Sequence, residues 1–164
     1  MKTLVTYMTV TGNTRKVAEA IFEEIKGAKD IKPMDEVTSL ETYDLVFVGF
    51  PVMRFGPPDA AKAFLEGKAK GKRVAVFVTH AMWADLEPLK GILEKCKDPA
   101  KCADMVGFFD CQGELSEAVA KSLLNNSNPE MQKFGMMRPK TMGHPDERDL
   151  KAAKAWARQM CAKK

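Results

Sequence analysis

At 164 residues and a formal net charge of +4, with 45% hydrophobic and 29% charged residues, the chain is long enough for one domain with a substantial core and has the composition of an ordinary globular protein. No apolar run approaches the roughly 18 residues of a membrane span and the chain enters directly into a strand pattern, so the expectation is a cytoplasmic protein with no membrane partner. The basic residues are scattered (Lys68, Lys70, Lys72, Arg73; Lys95, Lys97, Lys101; Lys151, Lys154, Arg158, Lys163, Lys164) without interleaved aromatics, which argues against nucleic acid and for a solvated positive face suited at most to an acidic partner surface.

Residues 3–8 read as a first strand (Leu4, Val5, Tyr7, Met8) and 14–26 as a first helix with Val17, Ile21 and Ile25 on one face. Between them stands Thr9-Val10-Thr11-Gly12-Asn13-Thr14. Three hydroxyls, an amide and a glycine at a helix start form a cradle for a phosphate: the glycine lets the backbone approach, and the unpaired N–H groups and helix dipole favour an anion. No lysine lies in the six residues, which separates the loop from a Walker loop. The same cluster also reads as a plain cap and turn.

Asp30–Pro33 is a short second strand. Leu45–Phe50 is a continuous apolar run, as in a strand buried on both faces of a parallel sheet. Pro57-Pro58-Asp59 opens a helix through about Leu65. Val74–Val78 is a fourth strand, Asp85–Cys96 a helix, Met105–Phe109 a fifth strand, Ser116–Asn125 a helix, and Asp146–Met160 a last helix with Leu150, Ala153, Ala157 and Met160 on one face. Residues 126–142 show no periodicity and hold four methionines (Met131, Met136, Met137, Met142), which reads as a lid or docking loop, or as packing or disorder. Strands alternating with helices imply an open parallel sheet covered on both sides, with ligands at the carboxyl ends of the strands.

Cys96, Cys102, Cys111 and Cys161 form no C-x-x-C pair and there are two histidines, so no metal site is expected. Cys96 and Cys102 bracket five residues and can form a redox pair, although reduced thiols are the expected state in the cytosol.

Tyr7-x-Thr9-x-Thr11-Gly12-Asn13-Thr14, with Ala18 and Ile21 on the helix that follows, resembles the loop by which the flavodoxin family grips the 5′-phosphate of FMN. Thr6 stands where the family usually has an apolar residue, and Val10 is unusual between the two threonines. The resemblance covers nearly the whole chain. It implies an α/β fold, a single flavodoxin-like domain over 1–164, with a doubly wound five-stranded parallel sheet of order 2-1-3-4-5 and helices on both faces. It further implies that Thr9, Val10, Thr11, Gly12, Asn13 and Thr14 hold the phosphate while Arg15 and Lys16 face solvent. The isoalloxazine ring would lie between two loops, Pro51, Val52, Met53, Arg54, Phe55 and Gly56 after strand three and Thr79, His80, Ala81, Met82 and Trp83 after strand four. Phe55 and Trp83 are the candidate stackers, with Met53 and Met82 in reserve.

Arg54 is a cation where classical flavodoxins are acidic, and predicts a raised potential for full reduction. His80 either touches the ring edge or is a satisfied polar residue at a strand end. His144 precedes Pro145-Asp146 and suits a turn and cap. Gln112, in Asp110-Cys111-Gln112-Gly113 after strand five, falls at the ligand edge. The family's role is electron transfer between redox partner proteins, a reductase and an electron acceptor, by a monomer or weak homodimer without catalytic residues of its own. The alternative is an FMN-dependent quinone or NAD(P)H oxidoreductase, because Pro51 with Arg54-Phe55-Gly56 is similar to a segment of flavodoxin-like quinone reductases. A flavin-free interaction domain is a third reading. Gly143–Leu150 also resembles members of the family that partner tetrapyrrole or bile-pigment reductases. Met8-Thr9 and Phe50-Pro51, at the ends of strands one and three, lack the acidic residues of response-regulator receivers.

Overall fold

A computed structural model of the protein describes residues 1–83 and 86–163. Five strands, β1 (Lys2–Tyr7), β2 (Ala28–Pro33), β3 (Leu45–Pro51), β4 (Arg73–His80) and β5 (Asp104–Gln112), form one sheet in the order β2-β1-β3-β4-β5. Every pairing is parallel, and Thr6 stands in register with Lys32 on one side and Val48 on the other. This is the doubly wound order expected from the resemblance, with all five carboxyl ends on one edge.

The period of two along each strand divides the core. Leu4, Val46, Val48, Phe50, Val74, Val76 and Val78 face one side and bury Met34, Val37, Leu40, Phe64, Leu65 and Cys96. Val5, Leu45, Phe47, Ala75 and Phe77 face the other, against Val17, Ala18 and Ile21 of α1 (Asn13–Glu24) and Ala153, Trp156, Ala157 and Met160 of the last helix. Trp156 meets the edge of Phe47 at 5.4 Å between ring centroids and stacks on Phe109 at 5.5 Å. That last helix, α6 (Glu147–Ala162), begins with a capping box: the Asp146 carboxylate accepts from the Arg148 and Asp149 amides, and Asp149 accepts from the Asp146 amide. His144 donates to the same Asp149 carboxylate at 2.7 Å, in the turn-and-cap role its position implies.

Several expected elements shift. The helix opened by the Pro57-Pro58 pair is α2 (Asp59–Ala63), which widens into a π turn over Phe64–Lys68, closed by the Ala69 amide donating to the Phe64 carbonyl. The helix expected over Asp85–Cys96 is α3 (Leu89–Lys97); Pro88 starts it late, a 3₁₀ turn over Asp98–Cys102 follows, and Asp85 lies outside the described residues. The helix expected over Ser116–Asn125 is α4 (Glu117–Leu124), capped by the Ser116 hydroxyl. The largest correction concerns 126–142, which is not a loop. It folds as α5 (Pro129–Met136) and a 3₁₀ turn over Arg138–Lys140. Asn128 caps α5 through its side chain, Pro129 takes the first helical position, and Gly135 lets α5 approach α4, since a Cβ there would lie 2.9 Å from the Ala120 carbonyl oxygen.

Cys96 and Cys102 do not pair; all four cysteines are free thiols. Burial pushes the Cys96 thiol up to about 12, which keeps it protonated and unreactive.

β1 buries two threonine hydroxyls, those of Thr3 and Thr6, and the second has a measurable consequence. The Thr6 hydroxyl is fully buried beside Val48 and finds no hydrogen-bond partner among the described residues. Thr6→Val removes an unpaired polar group at nearly constant shape, and should stabilise the protein by about 1 kcal/mol, or about 2–4 °C in Tm by thermal melting.

Candidate functional site

The site lies where β1, β3, β4 and β5 end. β1 stops at Tyr7 and the chain turns through Thr9–Gly12 into α1. Gly12 takes a left-handed backbone (φ 92°), a conformation costly to residues with a Cβ, and stands at the N-cap of α1. No side chain caps this helix, and its first turn holds no acidic residue. Its positive end therefore faces the loop without a built-in anion. The Thr9 hydroxyl oxygen accepts the Gly12 amide at 3.1 Å, which holds the loop closed on itself. Val10 and Thr11 are exposed at its tip, Val10 by 67%.

Two of the side chains expected to donate to an anion are tied to the protein. Thr14 is buried, and its hydroxyl bonds that of Thr79 at 2.8 Å, joining α1 to the end of β4. Asn13 donates its side-chain amide to the Glu114 carbonyl at 2.9 Å, joining α1 to the segment after β5. Arg15 and Lys16 are exposed, and Arg15 lies along the helix against Glu19 at 2.8 Å, a hydrogen bond that raises its already high pKa and holds the cation beside its own helix.

A cavity of about 270 Å³ runs from this loop to the ends of β3 and β4. Thr9, Val10, Thr11, Asn13 and Thr14 line one end, and Pro51, Val52, Met53, Arg54, Thr79, His80 and Ala81 line the other. Gly113, Glu114, Leu115, Ser116 and Val119 form its remaining wall. Of these five, the sequence places only Gly113 at the ligand edge, in the segment Asp110–Gly113. Gln112, the candidate from that segment, is the last residue of β5 and donates its amide to the Lys140 carbonyl at 3.3 Å. The strand runs three residues beyond the apolar stretch, so the ligand edge falls later than the sequence pattern places it.

Met53–Gly56 is a two-residue hairpin turn. The Met53 and Gly56 amides each donate to the other residue's carbonyl, at 2.9 and 3.0 Å. Arg54 (φ 49°) and Phe55 (φ 63°) both sit in the left-handed region, as a type I′ turn requires, although neither is glycine or asparagine. Strain of this kind persists only where the surroundings hold it, and it concentrates at functional sites. The turn projects Arg54 and Phe55 outward, with Phe55 41% exposed.

His80 is buried at the end of β4. Its Nε2 lies 3.1 Å from the Asp110 carboxylate, to which it donates. Nδ1 lies 3.3 Å from the Met82 amide nitrogen and 3.0 Å from the Met82 carbonyl oxygen. The neutral ring accepts from the amide, and the protonated ring donates to the carbonyl. Either way the imidazole fixes the turn that carries Met82, which is itself buried, and Trp83.

Phe55 and Trp83, the two aromatics of the ring loops, do not face each other directly. Phe134 of α5 stands between them, 5.9 Å from Phe55 and 5.7 Å from Trp83 between ring centroids. Phe134 is not among the residues the sequence nominates, since 126–142 shows no apolar periodicity. Asn128-Pro129-Glu130, an N-cap followed by a proline and an acid, was the available signal for a helix there.

Three comparisons bear on the chain. The sequence model of the family described as "Flavodoxin domain" matches residues 4–158. The chain is 32% identical over 173 residues, covering 99% of itself and 98% of the relative, to a flavodoxin-like domain-containing protein, BilS, of Clostridioides difficile (strain CD3). The structure of oxidised flavodoxin 2 from Bacillus cereus superposes with a TM-score of 0.60 at 19% identity, over 98% of each chain. A flavoprotein from Lactobacillus acidophilus NCFM, solved in complex with FMN, superposes with a TM-score of 0.55 at 21% identity, over 74% of this chain and 97% of that one.

Proposed function

The chain belongs to the flavodoxin family, and from that premise we propose that it binds FMN and carries electrons between a reductase and an acceptor protein. The observation that supports this best is the uncapped, acid-free N-terminus of α1 opening into a cavity that reaches the two loops after β3 and β4. An anion fits one end, and a flat apolar group fits the other, beside Val52, Met53 and Ala81. The Lactobacillus flavoprotein, solved with FMN, supports the choice of ligand. Among the described residues no helix is long and apolar enough to cross a membrane.

When bound, FMN supplies one- and two-electron transfer. The protein's part is to bind and to bias. The first-turn amides of α1 and the exposed Thr11 hydroxyl hold the phosphate, while Thr9 keeps the loop in shape by accepting from Gly12. Thr14 and Thr79, bonded to each other, fix the phosphate end relative to β4. Arg54 lines the cavity, and its cation would favour the negative charge that full reduction adds to a bound flavin. The same Arg54-Phe55-Gly56 turn is what favours the second reading, an oxidoreductase acting directly on a quinone or NAD(P)H.

Titration with FMN, followed by the visible spectrum and by quenching of flavin fluorescence, tests the proposal; no binding at micromolar FMN removes it. Thr11→Val should raise the FMN dissociation constant about tenfold to a hundredfold, as expected for roughly 1.5–3 kcal/mol in a hydrogen bond to a charged group. Arg54→Ala should lower the midpoint potential for full reduction in an anaerobic redox titration, and unchanged potentials would remove the cation from the redox site. Rapid bleaching by NADH or NADPH alone would favour the oxidoreductase over the carrier.

A further inference from the structure

We propose that α5 is a built-in clamp on the ring end of the site, and that Phe134 is the positioning residue through which it acts. The inference rests on the FMN reading above and deepens it: it names a determinant of flavin binding that lies outside the phosphate loop and both ring loops.

The two ring loops leave different strands, and each offers a single aromatic side chain. Phe134 is the side chain that joins them. Its ring meets Phe55 edge-on, at an interplanar angle of 75°, and meets Trp83 tilted at 43°. Both pairs have the separations and angles of favourable aromatic contacts. Behind them Phe134 packs against the apolar group of Met82, Leu89 and Ile92, which Val52 and Leu86 also touch. Residues of both ring loops, Val52 and Met82, thus share one small core with α5. The Trp83 ring also carries Lys140 Nζ at 5.8 Å, a second contact from the same segment.

The strain in the first ring loop gives this contact a purpose. Arg54 and Phe55 are held in left-handed conformations that residues with a Cβ rarely adopt. Seating the Phe55 ring against Phe134 rewards that conformation.

The segment that carries Phe134 is tied to the phosphate end of the site. Past α5, Arg138 donates to the Leu115 carbonyl and to the Glu114 carboxylate, both at 3.1 Å. The other Glu114 carboxylate oxygen accepts the Gly143 amide at 3.2 Å, and the Leu115 amide donates to the Thr141 hydroxyl at 2.9 Å. Glu114 in turn accepts from Asn13 on α1. One segment therefore runs from the phosphate loop, through Glu114 and Arg138, to the aromatics of the ring loops.

Riboflavin separates the two ends, because it carries the ring without the phosphate. Dissociation constants for FMN and riboflavin are measured on the full chain and on Phe134→Ala, Phe134→Tyr and Thr11→Val. Phe134→Ala should weaken both ligands by the same factor, about tenfold for the loss of two aromatic contacts. Phe134→Tyr should restore both, and Thr11→Val should weaken FMN alone. Unchanged or tighter binding of both ligands in Phe134→Ala would overturn the clamp. If the wild-type chain binds neither ligand, the FMN reading fails by itself, and hydrogen exchange on the ligand-free protein decides the clamp. Phe134→Ala should then still lose protection at the paired amides of Met53 and Gly56, and retained protection would refute it.

Discussion

All five strands run the same way, and the site follows from that. Parallel pairing leaves every β-to-α connection at one edge of the sheet. The helices needed to cross between the strands cover both faces, which is why Leu45–Phe50 is apolar without alternation. Loops from β1, β3, β4 and β5 therefore meet in space although more than a hundred residues separate the first from the last. Asn13 touching Glu114 is the direct expression of that constraint.

Within that edge the two ends of the site are built on different principles. The end at α1 is a backbone device. Gly12 takes the left-handed turn, Thr9 closes the loop, and the end of α1 is left without a capping side chain, so its unpaired amides and dipole are available to an anion. Two of the side chains that the residue types nominate as donors also serve the scaffold, Thr14 through Thr79 and Asn13 through Glu114. The end at β3 and β4 is a side-chain device. A strained hairpin carries Arg54 and Phe55, a buried histidine fixes the turn to Met82, and an aromatic from a distant helix stands between Phe55 and Trp83.

The segment after β5 joins the two ends. Glu114 is its hub, with its carbonyl on Asn13 and its two carboxylate oxygens on Arg138 and Gly143. This network is only partly buried, so each bond contributes modestly, and its importance is geometric more than energetic. It sets where α5 lies, and hence where Phe134 lies.

By itself the sequence determined the parallel α/β sheet and the phosphate-type loop between β1 and α1. Both are written in local signals: apolar runs bounded by turns, and Thr/Gly/Asn residues ahead of an amphipathic helix. Only the tertiary structure decided what stands between the loops after β3 and β4. The helix over Pro129–Met136 had its start signal in Asn128-Pro129, yet the eight-residue helix turns few side chains inward, so its periodicity is faint. The neighbours of Phe134 are Phe55 and Trp83, about eighty and fifty residues away, and no spacing rule connects them. The same holds for Glu114, whose partners lie on α1 and beyond α5. Local pattern reports which way a segment folds; contacts between remote loops depend on the length of β5 and the packing of Gly135 against α4, and these exist only once the chain is folded.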